Sequence, residues 1–309
     1  MTIFYDNSFQ INDKFPIVTM GFFDGIHIGH QEVIKNLIQN AKECGGTSVL
    51  ITFFPHPRIV LFPEQSDLKL ISTQEEKFQI LEKLGIDYVI EIPFTKEFSK
   101  LSAAEFVKQY LVDKIKTKKF IIGYDHRFGN NQEGNSHNLA DLGKLYNFEV
   151  EEIPAKNISE IAVSSTKVRK ALEIGNVKLA NCYLGYNYSI KGTVIEGNRL
   201  GRTIGYPTAN LSINDKYKLI PGNGVYAVLV EWNNKIYKGM LNIGTRPTLN
   251  LTGVSIEVNI FDFNSDIYNE TITVTLIDRI RDEQKFNGIE ELKLQLSKDK
   301  ESVLKLLGN

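Results

Sequence analysis

Residues 16–30 read PIVTMGFFDGIHIGH, and this stretch predicts how the fold begins. The part up to Phe23 is a short apolar run with one glycine, which is typical of a buried strand. From Gly29 to Glu43 the apolar residues recur at helical spacing. His27 and His30 therefore lie where a strand passes into the N-terminus of a helix. Unpaired N–H groups at such a terminus favour phosphate, so we predict an anion-binding loop here.

Strand-like and helix-like segments continue to alternate through the first half of the chain. The further strand-like segments are Ser48–Phe54, Tyr88–Ile92, Lys119–Gly123 and Phe148–Ile153. The further helix-like segments are Thr73–Leu84, with Phe78, Leu81 and Leu84 on its inner face, and Ala103–Lys114. This order predicts an α/β domain with a parallel sheet, helices on both faces and ligands at the carboxyl ends of the strands.

The pattern changes near Tyr183–Tyr188, after which apolar residues alternate with period two. Gly224–Trp232 and Ile236–Ile243 are predicted strands, and Asn233-Asn234 between them is a plausible hairpin turn. Five or six such strands predict a small antiparallel barrel or sandwich. Two short C-terminal helices are predicted after it, Ile289–Leu296 and Lys300–Leu307. We therefore predict two domains, residues 1–185 and residues 186–309.

Composition excludes several classes of protein. The 309 residues include 36 Lys and Arg against 37 Asp and Glu, so the chain lacks the basic excess of a dedicated nucleic-acid binder. Its two cysteines provide neither a disulfide framework nor a Cys-rich zinc site. The N-terminus does not resemble a signal peptide, and no apolar run approaches the roughly 18 residues of a membrane helix. We expect a cytoplasmic protein without nucleic-acid or membrane partners, of undetermined oligomeric state.

Four motifs of the first half occur in a recognisable order. A lone His-x-x-His is more often a tight turn with exposed histidines, but here other motifs accompany it. It is followed by TFFPHP at residues 52–57, GYDHRFG at residues 123–129 and SSTKVR at residues 164–169. Together with residues 21–30, these motifs resemble the adenylyltransferase module of bacterial FAD synthetases, in the nucleotidylyltransferase superfamily. The resemblance implies a Rossmann-like fold.

The resemblance also implies a reaction, in which the phosphate of FMN attacks the α-phosphorus of ATP and pyrophosphate leaves. Such chemistry needs positioning and charge neutralisation. His27 and His30 would be catalytic and would hold the triphosphate. The implied ATP and phosphate contacts are Gly21, Phe23, Asp24, Gly25, Gly29, His56, Asp125, Ser164, Ser165, Thr166 and Arg169. The sequence departs from the family at His126, where Phe is usual, and at residues 130–134, where basic residues are usual.

The second half carries a different loop, GNRLGRTIGYPTAN at residues 197–210. Its glycines and arginines could wrap an anion with backbone amides. The oxygens of Thr208 and Asn210 are hard ligands that suit magnesium. Taken alone, the segment is equally an ordinary Gly-rich loop between strands. Three further motifs follow, namely GMLNIGTRPT at residues 239–248, IEVNIFDF at residues 256–263 and RDEQKF at residues 281–286.

This second set of motifs resembles riboflavin kinases. The resemblance implies that Glu257 is the base that accepts the proton of the ribityl hydroxyl as it attacks the γ-phosphate of MgATP. The implied phosphate contacts are Gly197, Gly201, Arg202, Gly205, Pro207, Thr208 and Asn210, with Thr208 and Asn210 also on the metal. The implied flavin contacts are Arg246, Arg281, Glu283 and Phe286. Departures from the family are Asn259, where His is common, and Tyr186, where Arg is frequent.

Period two also predicts that Glu257, Asn259, Phe261 and Phe263 share one face of a strand, opposite Val258 and Ile260.

The order of the modules is that of the bacterial bifunctional riboflavin kinase/FAD synthetase family. The expected architecture is a Rossmann-like nucleotidylyltransferase domain followed by a small antiparallel β-barrel riboflavin kinase domain with C-terminal helices. The expected substrates are riboflavin, FMN and ATP, with Mg²⁺. One alternative is a monofunctional enzyme whose other module is weak. Another is a flavin-binding regulator without turnover. The intact sets Thr208/Asn210/Glu257 and His27/His30 argue against it, since a pure binder needs no base.

Overall fold

The computed structural model describes residues 1–5, 9–65, 67–123, 128–129, 136–153, 163–197, 200–245 and 253–308. The chain forms two compact units. One comprises Met1–Leu68 and Ser72–Ser164, and the other comprises Lys69–Ile71 and Ser165–Asn309. The two units divide between Ser164 and Ser165, whereas the sequence predicts a domain boundary after Gly185. That boundary stays a prediction.

The first unit contains a six-stranded sheet in the order β1-β4-β3-β2-β5-β6, in which every neighbouring pair is parallel. The strands are β1 Thr2–Phe4, β2 Pro16–Met20, β3 Thr47–Phe54, β4 Tyr88–Pro93, β5 Lys119–Gly123 and β6 Glu149–Ile153. The helices are α1 Ile28–Glu43, α2 Pro57–Leu61, α3 Gln74–Leu84, α4 Ala103–Phe106 and α5 Ser136–Tyr146. A π-helix, Val107–Lys114, continues α4, and two 3₁₀ turns span Pro63–Gln65 and Phe98–Lys100.

Both faces of this sheet are buried, as the near-continuous apolar runs of its strands predict. Ile17 packs on the side of the sheet that α1 and α3 cover, together with Leu50 and Ile121. Its neighbour Val18 packs on the opposite side, among residues of the α4 segment and of α5. The prediction of a parallel sheet with helices on both faces is confirmed.

The order of the strands shows where a ligand binds in such a sheet. From β2 the chain moves outward to β3 and β4 on one side, and later to β5 and β6 on the other. The direction of winding thus reverses between β2 and β5. Open α/β sheets bind ligands in the crevice outside the carboxyl ends of the strands at such a switch point. The loop that leads to the two histidines leaves β2 at that position.

The second unit contains a closed six-stranded barrel in the order β10-β11-β8-β7-β12-β9, with antiparallel neighbours throughout. Its strands are β7 Ser189–Ile195, β8 Ala209–Ser212, β9 Gly224–Trp232, β10 Lys235–Thr245, β11 Val254–Ile260 and β12 Thr271–Arg281. Of the two predicted architectures, the barrel is therefore confirmed and the sandwich is wrong. Asn233 and Asn234 have φ values of 48° and 58°, as a two-residue type I′ hairpin turn requires, which confirms the predicted turn.

The helices of the second unit are α6 Ser165–Glu173, α7 Val177–Leu184, α8 Leu200–Thr203 and α9 Ile289–Leu307. The prediction of two short C-terminal helices is wrong, because α9 runs through the expected break. Leu296, Val303 and Leu307 lie at helical spacing and pack on the same barrel cluster, so one continuous apolar stripe stabilises the whole helix. None of the described helices has the length and apolar character that crossing a membrane requires.

Candidate active sites

The loop from β2 to α1 has an unusual backbone. Phe23, Gly25 and Ile26 have φ values of 51°, 76° and 36°. Positive φ is uncommon for residues with bulky side chains, and such strained positions concentrate at functional sites. The loop is tied to the sheet by the Gly21 amide, which donates to the Ile51 carbonyl at 3.0 Å. The turn brings His27 to the N-cap of α1.

His27 and His30 form one stacked pair. Their rings lie 3.7 Å apart at an interplanar angle of 16°, and the edge of Phe23 contacts His30 at 5.2 Å. His27 Nδ1 accepts a hydrogen bond from the His30 amide at 3.3 Å, which leaves the ring proton of a neutral His27 on Nε2. His30 Nδ1 is buried and has no hydrogen-bond partner among the described residues. The pair thus provides two imidazoles beside the helix N-terminus.

The pKa of His30 is well below its ordinary value. Burial is the main cause, and the positive charges of His27 and Lys77 act in the same direction. His30 is therefore neutral at neutral pH and presents an imidazole rather than an imidazolium.

Asp24 anchors the middle of the loop. Its carboxylate is buried and accepts a hydrogen bond from the Ser72 amide at 3.2 Å. The Gly25 amide in turn donates to the Ser72 hydroxyl at 3.1 Å. These reciprocal bonds join the loop after β2 to the segment before α3, and Ser72 is not part of any motif.

Lys77 is a second residue that motif reasoning missed. It lies on α3, is only 5% exposed, and its Nζ is 3.4 Å from Thr52 Oγ1. Burial lowers the pKa of Lys77 to about 8, against the opposing effect of Asp24 and Glu91. Burial also raises the pKa of Glu91. The signal was present in the sequence, since Lys77 lies one helical turn before Leu81 on the inner face of α3.

The structure brings most of the predicted residues of this site together. Gly21, Phe23, Asp24 and Gly25 form the loop, and Gly29 is in the first turn of α1. His56 is the N-cap of α2, and its ring lies 4.8 Å from that of Phe22 in the loop. Ser164 ends the main segment of the first unit, whereas Ser165, Thr166 and Arg169 lie on α6 in the second. Asp125, His126 and residues 130–134 lie outside the described residues.

The second candidate site surrounds a cavity of about 240 Å³ that residues of β9 to β12 and of α9 line. Predicted residues on its lining are Gly201, Thr208, Glu257, Arg281, Glu283 and Phe286. The Thr208 hydroxyl lies 3.4 Å from Glu257 Oε2. Glu257 pairs with Asn210 across β11 and β8, so the predicted base and a predicted magnesium ligand are cross-strand neighbours. Arg246, the remaining predicted flavin contact, lies outside the described residues.

A second cavity of about 500 Å³ adjoins the same loop. Arg202 and Pro207 line it, together with Val258 and Ile260 of β11. Thr208 lines both cavities. The site therefore has two compartments, with Glu257 in the smaller, Arg202 in the larger and a hydroxyl at their common boundary.

The alternation predicted along β11 is confirmed as far as the strand extends. Glu257 and Asn259 line the smaller cavity, and Val258 and Ile260 line the larger. The prediction is wrong for Phe263, because β11 ends at Ile260 and the chain turns at Asp262, where φ is 52°. Phe263 lines the larger cavity and packs edge-on against Trp232 and Tyr237.

One glycine of the loop is required by close approach of the backbone, because a Cβ on Gly201 would lie 2.2 Å from the Tyr206 carbonyl. A Cβ on Gly197 would lie 2.0 Å from the side-chain nitrogen of Asn210, so that side chain would have to move. The third predicted glycine, Gly205, has a φ of 83°. Asn259 donates to the Pro207 carbonyl at 2.6 Å and so holds the Pro-Thr segment against β11.

Comparison with known proteins matches the two parts of the chain to two different families. The FAD synthetase family model matches residues 10–167, and the riboflavin kinase family model matches residues 184–307. The bifunctional riboflavin kinase/FMN adenylyltransferase of Bacillus subtilis is 39% identical, over 95% of this chain and 93% of its own. The enzyme of the same name from Listeria monocytogenes is 40% identical, over 93% and 91%. A crystal structure described as a macrolide-efflux protein from Streptococcus pneumoniae covers 98% of both chains, with a TM-score of 0.86 and 34% identity.

A histidine loop at the switch point of a parallel sheet and a two-compartment loop site on a closed barrel define a fused nucleotidyltransferase and kinase. With both family models matched in sequence order, the chain belongs to the bifunctional riboflavin kinase/FMN adenylyltransferase family.

Changing Lys77 to Met will raise the pKa of His30, because it removes a positive charge that disfavours the protonated ring. His27 is the other charged group that lowers this pKa, and it is retained. The shift is measured by NMR titration of the histidine ring protons, with His30 assigned from the spectrum of His30→Asn. Lys83→Met, on the exposed side of α3, is the control and leaves the titration unchanged. A His30 pKa that is the same in Lys77→Met and in the parent chain would contradict this account.

Proposed function

We propose that this chain phosphorylates riboflavin to FMN in its second unit and adenylylates FMN to FAD in its first. Thr208 carries the first half of the proposal, since it lies at the boundary of two cavities with Glu257 on one side and Arg202 on the other. Phosphoryl transfer from ATP to an alcohol needs such an arrangement, with a base beside the acceptor and cationic groups beside the phosphates.

In the kinase reaction, riboflavin occupies the smaller cavity and ATP the larger. Glu257 accepts the proton of the terminal ribityl hydroxyl while that oxygen forms a bond to the γ-phosphorus. The bond from the γ-phosphorus to the bridging oxygen breaks, and ADP leaves with the electron pair. Arg202 and the backbone around Gly201 bind the phosphates, and Asn259 keeps the Pro207-Thr208 segment in place through its 2.6 Å hydrogen bond.

The donor set beside Glu257 fits a magnesium ion. Thr208 and Asn210 offer a hydroxyl and an amide oxygen, and magnesium in kinases is usually held by one or two protein oxygens plus the substrate phosphates. A bound Mg²⁺ would neutralise the charge that develops on the phosphate oxygens. Substrate phosphate oxygens and water would complete the coordination of that ion.

In the adenylyltransferase reaction, an oxygen of the FMN phosphate attacks the α-phosphorus of ATP. The bond from the α-phosphorus to the oxygen that bridges to the β-phosphorus breaks, and pyrophosphate leaves. The geometry of His27 supports a role as hydrogen-bond donor from Nε2 to a phosphate oxygen, because its Nδ1 is occupied by the His30 amide. Ser164, Ser165, Thr166 and Arg169 are proposed contacts of the β- and γ-phosphates on the basis of the family motif alone.

We place both reactions in the cytoplasm. Cys44 and Cys182 are exposed and free, which suits a reducing compartment. The proposed partners are the small-molecule substrates.

Glu257→Gln will lower the rate of FMN formation by about 10²–10⁴-fold, because the amide keeps the size of the side chain but cannot accept the proton. Formation of FAD from supplied FMN will be unchanged in the same chain. Both products are separated by chromatography after incubation with MgATP. Glu231→Gln, an exposed residue of β9, is the matched control. A Glu257→Gln chain that keeps the parent rate of FMN formation would remove Glu257 from the mechanism.

His27→Asn will abolish FAD formation from supplied FMN and spare FMN formation from riboflavin. Asparagine is a good N-cap, so it keeps the hydrogen-bond acceptor for α1 while removing the imidazole. His27→Ala removes both, and its melting temperature compared with that of His27→Asn reports the cap separately. If His27→Asn makes FAD at the parent rate, the contribution of His27 is its cap rather than its ring.

A further inference from the structure

Arg281 and Asp299 form a buried ion pair beside the smaller cavity. Arg281 Nε lies 3.0 Å from both carboxylate oxygens of Asp299, and Arg281 Nη2 donates to Oδ2 at 2.8 Å. The side chain of Asp299 is 2% exposed and that of Arg281 is 14% exposed. Charge-assisted contacts of this two-pronged kind fix orientation as well as distance. The pair therefore joins the end of β12 to the middle of α9.

The hydrogen bonds of Arg281 fix the orientation of its guanidinium. Besides the contacts to Asp299, Nη1 donates to the Asp282 carbonyl at 2.9 Å. Every nitrogen of the side chain thus has a partner within the second unit. Asp299 has a further donor, because Gln295 Nε2 donates to its Oδ1 at 2.8 Å. The family resemblance placed Arg281 among the flavin contacts, and it lines the smaller cavity; these bonds give it a structural task as well.

That task follows from the residues that α9 and the segment before it contribute to the lining of the smaller cavity. Leu292 and Leu296 of α9 line the smaller cavity, and Leu296 also packs against the cluster that includes Val225 and Met240. Asp299 is three residues beyond Leu296 on the same helix, so the ion pair anchors α9 next to its cavity-lining turns. Phe286, which also lines the cavity, has its ring 5.7 Å from the Arg281 guanidinium carbon.

We propose that Asp299 is a positioning residue for riboflavin: through Arg281 it holds Leu292, Leu296 and Phe286 as the apolar wall of the flavin compartment. The proposal rests on the proposed kinase function for the identity of the ligand. No assigned motif includes Asp299, and its carboxylate is too deeply buried to contact substrate itself. Because the wall contacts the flavin and not the reacting phosphate, disturbing it weakens riboflavin binding more than it slows phosphoryl transfer.

The test compares variants of the full chain. Riboflavin affinity is measured without ATP from the quenching of riboflavin fluorescence. The KM values for riboflavin and ATP and the kcat for FMN formation are measured separately. Asp299→Asn removes the charge and keeps the shape, and Glu301→Gln makes the same change at an exposed position of α9. Leu292→Ala removes one side chain of the wall directly and leaves the ion pair in place.

Asp299→Asn is expected to raise the riboflavin Kd and KM on the order of 10-fold, with kcat at saturating riboflavin and the KM for ATP within about 3-fold of the parent. Glu301→Gln is expected to match the parent. Leu292→Ala is expected to raise the riboflavin Kd to a similar extent and to leave the KM for ATP within about 3-fold of the parent, because it removes part of the same wall. Gln295→Ala removes one hydrogen bond of Asp299 and is expected to weaken riboflavin binding to a smaller extent.

Two results would overturn the proposal. One is an Asp299→Asn chain with the parent riboflavin Kd. The other is a Leu292→Ala chain with the parent riboflavin Kd, since the wall would then not contact the flavin. If one of these two variants does not fold, the other decides, and Gln295→Ala decides if neither folds. A parent chain that binds riboflavin but forms no FMN with MgATP would refute the proposed kinase function and leave this comparison of binding intact.

Discussion

Burying a charged group is costly unless other groups of the protein bind it, and this constraint shapes the surroundings of both sites. In the first unit, the carboxylate of Asp24 is buried where the chain leaves β2 and is held by the amide of Ser72. In the second unit, Asp299 is buried against Arg281. Each pairing holds a segment that carries predicted residues of a site.

The first site shows how such support leads to function. The bonds around Asp24 hold a loop with three positive φ values, and the turn of that loop makes His27 the cap of α1. The cap bond sets the tautomer of His27, and burial keeps His30 neutral. A helix N-terminus with two adjacent imidazoles can then bind and neutralise phosphate. The proposed adenylyl transfer thus depends on backbone geometry at least as much as on the two rings.

The alternation of short apolar strand-like runs with helix-like segments made the parallel sheet predictable from the sequence, because both faces of each strand pack against helices. The period-two pattern made the antiparallel strands predictable, but not their closure into a barrel, which depends on the pairing of β9 with β10 and β12. The continuity of α9 and the turn after Ile260 were mispredicted for the same reason. In both cases a tertiary contact decides what local propensity leaves open.

The residues of the candidate sites likewise divide into those that the sequence predicts and those that only the structure reveals. Motifs located His27, Thr208 and Glu257, since their chemistry requires particular residue types at particular spacings. Lys77 and Asp299 escaped notice, because a single charged residue in an amphipathic helix is ordinarily exposed. Their burial becomes evident only when the packing of α3 and α9 is known. A charged residue on the apolar face of a predicted helix is the one sequence signal that could have identified Lys77.

The central claim is that one chain contains two consecutive reactions, the product of the second unit being the substrate of the first. The most direct measurement follows the flavins and phosphates by chromatography after the purified chain is mixed with riboflavin and MgATP. The account predicts that FMN appears first and then declines as FAD accumulates, with one ADP and one pyrophosphate released for each FAD. A reaction that stops at FMN, or that forms neither flavin, would contradict it.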